Sequence, residues 1–198
     1  HTLGKFAMDV VTYCSQNYGF ITLSKELTTG SSIMPHKKNP DVFELIRAHC
    51  NRLLALPQEI SMTTSNLSAG YHRDFQLLKE SIFPAIQSIK DCLAITTFSI
   101  EHMKVNTNIL KEEKYQYLYT VETVNQQVLN GIPFREAYQN VGKAVEEDNY
   151  RFDGQINHTH FGSLGNLQNE AIQNKITNNY LDMRYEQVEK AINLLLFN

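Results

Sequence analysis

Apolar side chains recur at helical spacing along most of this 198-residue chain. The first run predicts a helix from about Leu3 to Tyr18 that ends near Gly19. A second helix is predicted to begin at Pro40–Asp41, because proline suits a first helical turn and an acidic side chain suits the positive helix end. A third covers about residues 74–103. The chain opens inside an amphipathic pattern without an initiator methionine, so we expect it to be cut from a longer protein.

The two long helices each carry an apolar face and an internal proline. Pro57 is expected to kink or divide the second helix, and Pro84 is a candidate kink in the third, because proline cannot donate the helical backbone hydrogen bond. The predicted buried side of the second helix consists of Phe43, Ile46, Leu53, Leu54 and Ile60. The predicted buried side of the third consists of Phe75, Leu78, Ile82, Ile86, Ile89, Leu93 and Phe98.

Shorter helices separated by turn residues follow position 110. We predict helices over residues 113–129 and 133–148, a loop over residues 157–165, and a final helix over residues 179–196. The final helix presents Tyr180, Met183, Val188, Ile192 and Leu195. No segment of real length alternates with period two, so the pattern predicts an all-α fold. We expect a long-helix domain at 1–110 and a small helical domain at 111–198.

Composition narrows the class of protein. A net charge of −3 and the lack of a long basic stripe argue against a nucleic-acid partner. No run approaches the roughly 20 apolar residues of a membrane helix, and no signal peptide is visible. Cys14, Cys50 and Cys92 lie far apart within apolar helical patterns, which indicates buried free thiols in a reducing compartment. His158 and His160 offer only two ligands, so we expect no metal. A cytoplasmic protein is the expectation.

Residues 28–41, Thr-Thr-Gly-Ser-Ser-Ile-Met-Pro-His-Lys-Lys-Asn-Pro-Asp, depart from the helical pattern. Two hydroxyls follow Gly30, and two lysines and an asparagine lie between Pro35 and Pro40. Glycine permits backbone angles closed to other residues, and the prolines prevent a helix from starting early. Such a loop presents backbone N–H groups, a hydroxyl, an ammonium and an amide to one small anion. It is suited to holding a carboxylate while a proton is removed beside it.

This loop resembles the signature of the fumarase/aspartase superfamily: Gly-Ser-Ser, any residue, Met-Pro, any residue, Lys, any residue, Asn. Residues 30–39 match every fixed position, and we name them the signature loop. Enzymes of this superfamily remove a group β to a carboxylate and release fumarate, without a metal or organic cofactor. The resemblance implies that Ser31 is the general base for the Cβ proton and that Ser32 contacts substrate. It also implies that Lys37 and Asn39 hold the carboxylate that gains charge as the carbanion forms.

A serine hydroxyl is a weak base unless donors and positive charge stabilise its alkoxide. Backbone N–H groups around Gly30–Ile33, with Lys37 adding positive charge, are the expected source of that stabilisation. The doubly charged aci-carboxylate intermediate needs donors that are fixed before the reaction begins. The loop composition therefore agrees with the implied roles.

The residues after the signature loop narrow the resemblance. Asn-Pro-Asp at 39–41 continues to Glu-Leu-Ile-Arg at 44–47, which is similar to the argininosuccinate lyase family of this superfamily. The resemblance implies that Glu44 holds the loop lysine and shapes the electrostatics of catalysis. Adenylosuccinate lyases carry a related loop but usually differ after the Asn-Pro pair.

A second segment agrees with that family. Residues 71–79 resemble its pattern Tyr-Asn-Lys-Asp, one residue, Gln, two residues, Lys, although His-Arg stands at 72–73. By resemblance, Tyr71, Gln76 and Lys79 bind the carboxylates and the amino-acid end of the substrate. Gln76 and Lys79 are three residues apart, so a helix would place both on one face. We name Tyr71, Gln76 and Lys79 the Tyr71 cluster.

Gly-Ile-Pro-Phe-Arg-Glu-Ala-Tyr at 131–138 resembles the family more weakly, and we assign it to packing. The resemblance implies a homotetramer with a shared helical bundle, to which the last helix returns, and active sites built from three subunits. The general-acid histidine has no counterpart here, so the isolated chain should be inactive. Full-length protein should cleave argininosuccinate to arginine and fumarate. Adenylosuccinate lyase, aspartase, or a non-catalytic structural or assembly fragment of the same fold stay open as alternatives.

Overall fold

The computed structural model describes residues 1–152, 154, 156, 158–182 and 185–197. The chain divides into two compact units, His1–Glu113 and Lys114–Asn198. The first contains three α-helices, α1 (Thr2–Tyr13), α2 (Asp41–Thr63) and α3 (Leu78–Glu101). It also contains short 3-10 helices at Lys25–Leu27, Arg73–Gln76 and Ile109–Lys111, and strands β1 (Ile21–Thr22) and β2 (Lys104–Val105). The predicted all-α class is confirmed, with one addition: β1 and β2 form a small antiparallel ribbon.

Helix α1 ends five residues before the predicted end at Tyr18. After Tyr13 the chain forms a tight turn in which the N–H of Gly19 donates to the carbonyl of Ser15 at 2.8 Å. The rings of Tyr13, Tyr18 and Phe20 then contact one another at centroid separations of 5.2–6.3 Å. Periodicity alone extended the helix too far, because this aromatic turn continues the apolar spacing.

Helix α2 begins at Asp41, as predicted, and the carbonyl of Pro40 accepts hydrogen bonds from the N–H groups of Phe43 and Glu44. Pro57 lies inside α2 and does not divide it. Of the two outcomes expected at Pro57, a kink or a division, the division does not occur. Pro57 is exposed on the helix surface, where the carbonyl deprived of its partner can bond water. Pro84 likewise lies inside α3, which runs without interruption.

The core of the first unit lies where α1 and α2 cross. Phe43 is fully buried, and its ring meets the Phe6 ring edge-on at 6.1 Å. A Cβ added at Gly4 would lie 3.2 Å from the Cβ of Cys50, so the two helices approach closely there. Replacing a buried phenylalanine by alanine costs about 3–5 kcal/mol, so Phe43 is expected to be a major source of stability.

The burial pattern predicted for helix α3 is partly wrong. The residues that it buries are Cys92, Thr96 and Ser99, and the two hydroxyls donate to carbonyls of their own helix. Three apolar residues predicted to be buried are about half exposed, namely Ile86 (49%), Leu93 (52%) and Phe98 (47%). Leu54 of α2 is also exposed. A unit with only three α-helices covers one side of its longest helix and leaves the other uncovered.

Helices α2 and α3 are antiparallel. His49 Nδ1 lies 3.0 Å from Ser88 Oγ, and ten residues further along α2 the carboxylate of Glu59 accepts a hydrogen bond from the earlier Ser81. The start of each helix therefore lies beside the end of the other.

The second unit contains a 3-10 helix at Glu113–Tyr119 that joins α4 (Thr120–Leu129), then α5 (Phe134–Glu146), α6 (Asn169–Asp182) and α7 (Tyr185–Phe197). Its core consists of Val124, Ala137, Val141 and Tyr150. The single final helix predicted at 179–196 is wrong, since 179–182 end α6. The polar sequence of α6 gave little periodic signal. Asn157 of the predicted loop and Met183 of the predicted helix lie outside the described residues. Among the described residues, no helix is long and apolar enough to cross a membrane.

Candidate active site

The signature loop is closed at its base by backbone pairing. The N–H of Thr29 donates to the carbonyl of Asn39 at 3.1 Å, and the N–H of Asn39 donates back at 2.8 Å. Inside the loop, the N–H of Lys37 donates to the carbonyl of Met34 at 3.0 Å. These bonds fold residues 30–38 into a projecting loop and place Asn39 opposite the residue that precedes Gly30.

The Ser31 side chain accepts hydrogen bonds from the backbone of its own loop. Its Oγ accepts hydrogen bonds from the backbone N–H groups of Ile33 (3.2 Å) and Met34 (3.1 Å). Such donors stabilise negative charge on an oxygen. Ser31 is partly buried, whereas Ser32 is exposed. The geometry therefore distinguishes the first serine from the second.

The two loop lysines have different surroundings. Lys38 lines a cavity of about 140 Å³ beneath the loop base, together with Cys14, Thr28 and Pro40. Lys37 is exposed, as is Glu44. Within the described ranges no ion pair joins Lys37 to Glu44, although the resemblance implies that Glu44 holds this lysine. Lys37 is thus open to solvent on the loop surface.

One contact at the loop base was missed at the level of sequence. The Thr29 hydroxyl donates a hydrogen bond to the carboxylate of Asp41, the first residue of α2. The sequence assigned Asp41 only to the positive end of the helix. A threonine immediately before Gly30 and an acidic residue immediately after Pro40 were the available signal.

The segment that leads into the loop is also fixed by hydrogen bonds. The pKa of Glu26 lies below its ordinary value, because its own backbone N–H and the Ser24 hydroxyl donate to the carboxylate. Leu27, the next residue, is buried in the core. The chain is therefore anchored just before it reaches Thr29.

The three residues of the Tyr71 cluster are linked by hydrogen bonds. The Lys79 ammonium donates to Gln76 Oε1 at 2.7 Å, and Gln76 Nε2 donates to the Tyr71 hydroxyl oxygen. Gln76 ends a 3-10 turn and Lys79 lies in the first turn of α3. Tyr71 is 72% exposed. Because the Tyr71 oxygen accepts from Gln76, its own hydrogen is available to a bound anion, as are the other ammonium hydrogens of Lys79.

The signature loop and the Tyr71 cluster lie at opposite ends of the α2–α3 pair. The loop precedes the start of α2, and the cluster precedes the start of α3, which is antiparallel to α2. Helix α2 contains 23 residues, which corresponds to roughly 35 Å. That length exceeds a small-molecule substrate. A single copy of the chain therefore cannot place both groups of residues on one substrate molecule.

The histidines of the second unit form no metal cluster. His158 Nε2 lies 2.9 Å from Glu122 Oε1, and the rings of His158 and His160 are 5.5 Å apart. In the part of the chain that the structure describes, no three His, Cys, Asp or Glu side chains come together to hold a metal ion.

Comparison with solved structures supports the fold class. The crystal structure of EDDS lyase in complex with formate matches this chain with a TM-score of 0.58 at 19% sequence identity, over 74% of this chain and 30% of that one. A fumarate-bound EDDS lyase variant matches with a TM-score of 0.51. A family model described as "Lyase" matches residues 1–55, which include the whole signature loop. Fold and loop together define the fumarase/aspartase superfamily of lyases.

Curated relatives show to which family of this superfamily the chain belongs. Argininosuccinate lyase of Bacteroides thetaiotaomicron is 48% identical over 194 residues, which is 96% of this chain and 44% of the relative. The enzymes of the same name from Bacteroides fragilis and Phocaeicola vulgatus are 48% and 45% identical over 98% and 96% of this chain. The chain belongs to the argininosuccinate lyase family. It spans about 44% of the length of the curated relatives that it matches.

Proposed function

We propose that this chain is the part of an argininosuccinate lyase that supplies the general base and a separate carboxylate-binding cluster. The full-length protein would cleave argininosuccinate to arginine and fumarate by β-elimination, as a carbon–nitrogen lyase of arginine biosynthesis. The observation that carries the proposal is the pair of backbone N–H groups on Ser31 Oγ, inside a loop that matches the superfamily signature at every fixed position.

Proton removal is assigned to Ser31. The Ser31 hydroxyl first loses its proton to solvent, and the Ile33 and Met34 N–H groups stabilise the alkoxide, which then takes the Cβ proton of the substrate. The electron pair left on Cβ delocalises into the adjacent carboxylate, which becomes doubly charged. The return of that pair forms the carbon–carbon double bond of fumarate as the C–N bond breaks and the guanidinium nitrogen leaves with that bond's electron pair. Lys37 supplies positive charge to that carboxylate and Asn39 supplies amide donors. Glu44 tunes the charge of Lys37, and Ser32 contacts the substrate.

Binding of the amino-acid end of the substrate is assigned to the Tyr71 cluster. Its free donors, on Tyr71 and Lys79, suit the carboxylate of an amino-acid end. The Gln76 amide lies between them and fixes their spacing through hydrogen bonds to both. No residue of this chain is assigned the proton donor for the leaving guanidinium.

Sites shared between copies of the chain follow from the separation of the two clusters. We extend the proposal to a homotetramer in which the signature loop of one copy faces the Tyr71 cluster of another. The exposed apolar side of α3, with Ile86, Leu93 and Phe98, supports burial against further helices. So does a groove of about 510 Å³ between α2 and α3, lined by Leu45, Ile46, Cys92 and Ile95 among others. Three free cysteines suit a reducing compartment, and we assign the protein to the cytoplasm.

The test is a chimera in which residues 1–198 replace the matching segment of the Bacteroides thetaiotaomicron relative. We expect the chimera to release fumarate and arginine from argininosuccinate, and to leave adenylosuccinate and aspartate unchanged. The isolated 198-residue chain, assayed in parallel, should release none. A chimera that sediments like the parent enzyme but cleaves a different substrate, or none, would overturn the assignment.

A further inference from the structure

Thr29 and Asp41 flank the signature loop and bond to each other. The Thr29 hydroxyl donates to the Asp41 carboxylate, and the Thr29 backbone exchanges two hydrogen bonds with Asn39. A hydrogen bond to a charged acceptor is roughly twice as strong as one between neutral groups. We name the Thr29–Asp41 side-chain bond the latch.

The latch joins the base of the exposed signature loop to the start of helix α2. Asp41 is the first residue of α2, whose first turn also contains the buried Phe43. Thr29 lies two residues before Ser31, and Asp41 lies two residues after Asn39. The latch therefore adds a side-chain restraint to the backbone pairing that holds Thr29 beside Asn39.

Packing does little to hold the loop in place. Ile33 at its tip is 86% exposed, and residues 32–38 are all exposed. Loops with few buried contacts open locally at low cost in free energy. Hydrogen bonds at the base are consequently the main restraint on the loop in the described structure.

We infer that Thr29 and Asp41 are positioning residues that hold Ser31 and Asn39 at the separation required for proton abstraction. This inference rests on the proposed function, although the latch as a restraint on the loop does not. Neither side chain is assigned a contact with substrate. If Asp41 served only the positive end of α2, removing the Thr29 hydroxyl would have no effect on turnover.

Turnover in the chimera tests the inference. Thr29→Val and Asp41→Ala should each lower kcat about tenfold while KM stays within about twofold, because misplaced groups slow the chemical step more than binding. The double variant should be no slower than either single variant, since both remove one bond. Thr29→Ser keeps the hydroxyl and should restore kcat. The matched control is Thr28→Val, whose hydroxyl donates instead to the carbonyls of Ser24 and Lys25.

Hydrogen exchange supplies a readout that does not depend on activity. In Thr29→Val, peptides covering residues 28–41 should exchange faster, while peptides from α3 exchange at an unchanged rate. In the Thr28→Val control, peptides covering residues 28–41 should exchange at the unsubstituted rate. If the unsubstituted chimera is inactive, the proposed function is refuted. Faster exchange in its Thr29→Val variant would still show that the latch restrains the loop. Unchanged exchange, unchanged kcat, or a kcat loss accompanied by dissociation of the chimera would each overturn the inference.

Discussion

Ser31 Oγ lies 3.1 Å from the backbone nitrogen of Met34, and this bond aligns an N–H dipole with the oxygen proposed to carry negative charge. The Ile33 N–H makes a similar contact at 3.2 Å. Both donors belong to the loop itself, so the stabilising environment of the proposed base is local in sequence. A hydroxyl that accepts two backbone N–H groups is better prepared to lose its proton than one in water.

Removal of the Ser31 hydroxyl should therefore abolish most turnover. We expect Ser31→Ala in the chimera to lower kcat by about 10²–10⁴-fold, the usual contribution of a positioned proton acceptor. Ser32→Ala provides the comparison, because Ser32 is exposed and its proposed contact is with bound substrate. That variant should alter mainly KM. Steady-state fumarate release measures both, and an unchanged kcat in Ser31→Ala would remove Ser31 as the base.

The separation of the two clusters predicts complementation between two variants that are each nearly inactive at a substrate concentration well below the KM of Lys79→Met. Mixed and reassembled, Ser31→Ala and Lys79→Met chimeras should regain activity in about a quarter of their sites, those that combine an intact loop with an intact Tyr71 cluster. A mixture of Ser31→Ala with Lys37→Ala is the control, because both changes lie in one loop. It should regain nothing. Equal recovery in the two mixtures would show that the sites are not shared in this way.

Lys79 should affect substrate affinity more than the chemical step. Its ammonium donates to Gln76, which in turn donates to Tyr71, so Lys79→Met both removes a charge and frees the Gln76 amide. We expect KM to rise about 10- to 100-fold with a smaller change in kcat. Lys90→Met, an exposed lysine further along α3, is the matched control. A loss confined to kcat would place the Tyr71 cluster in the chemistry instead.

The cysteines predict the alkaline behaviour of the first unit. Burial raises the pKa of the Cys14 thiol, and it raises that of Cys92 with smaller contributions from Cys50 and Asp91. Each folded pKa lies above the unfolded one, so the associated stability is complete below about pH 9 and is lost as the pH rises through the folded pKa. The free energy of unfolding, measured by urea titration, should therefore stay level up to about pH 9 and fall as the pH rises further. The fall should be smaller in Cys92→Ala, and an equal fall would exclude the Cys92 contribution.

The sequence predicted the features that depend on local chemistry. The start of α2 at Asp41 and the signature loop follow from proline, glycine and acidic residues at fixed positions. The end of α1 did not, because the contacts among Tyr13, Tyr18 and Phe20 that replace the last helical turn are tertiary. The helical spacing of apolar residues alone predicts that Ile86 is buried. Burial of Ile86 needs a neighbouring helix that the described unit does not contain.

The candidate site also has one part that the sequence predicted and one part that it did not. Ser31 and its donors lie within four residues of each other, so the sequence carries the whole arrangement. The sequence also named Tyr71, Gln76 and Lys79, but it did not predict where they lie relative to the loop. Their distance from it depends on the antiparallel order of α2 and α3, which is set by contacts such as the one from His49 to Ser88. Hydrophobic spacing contains no information about that direction.

If further copies cover the exposed side of α3, as in the proposed homotetramer, concentration becomes a variable in the folding of this chain. Apolar surface that remains in water after folding contributes nothing until another surface covers it. Dilution removes that contribution and lowers the stability of every copy. Two samples of the same chain, prepared at different concentrations, are then expected to unfold at different temperatures without any change in the fold of a single copy.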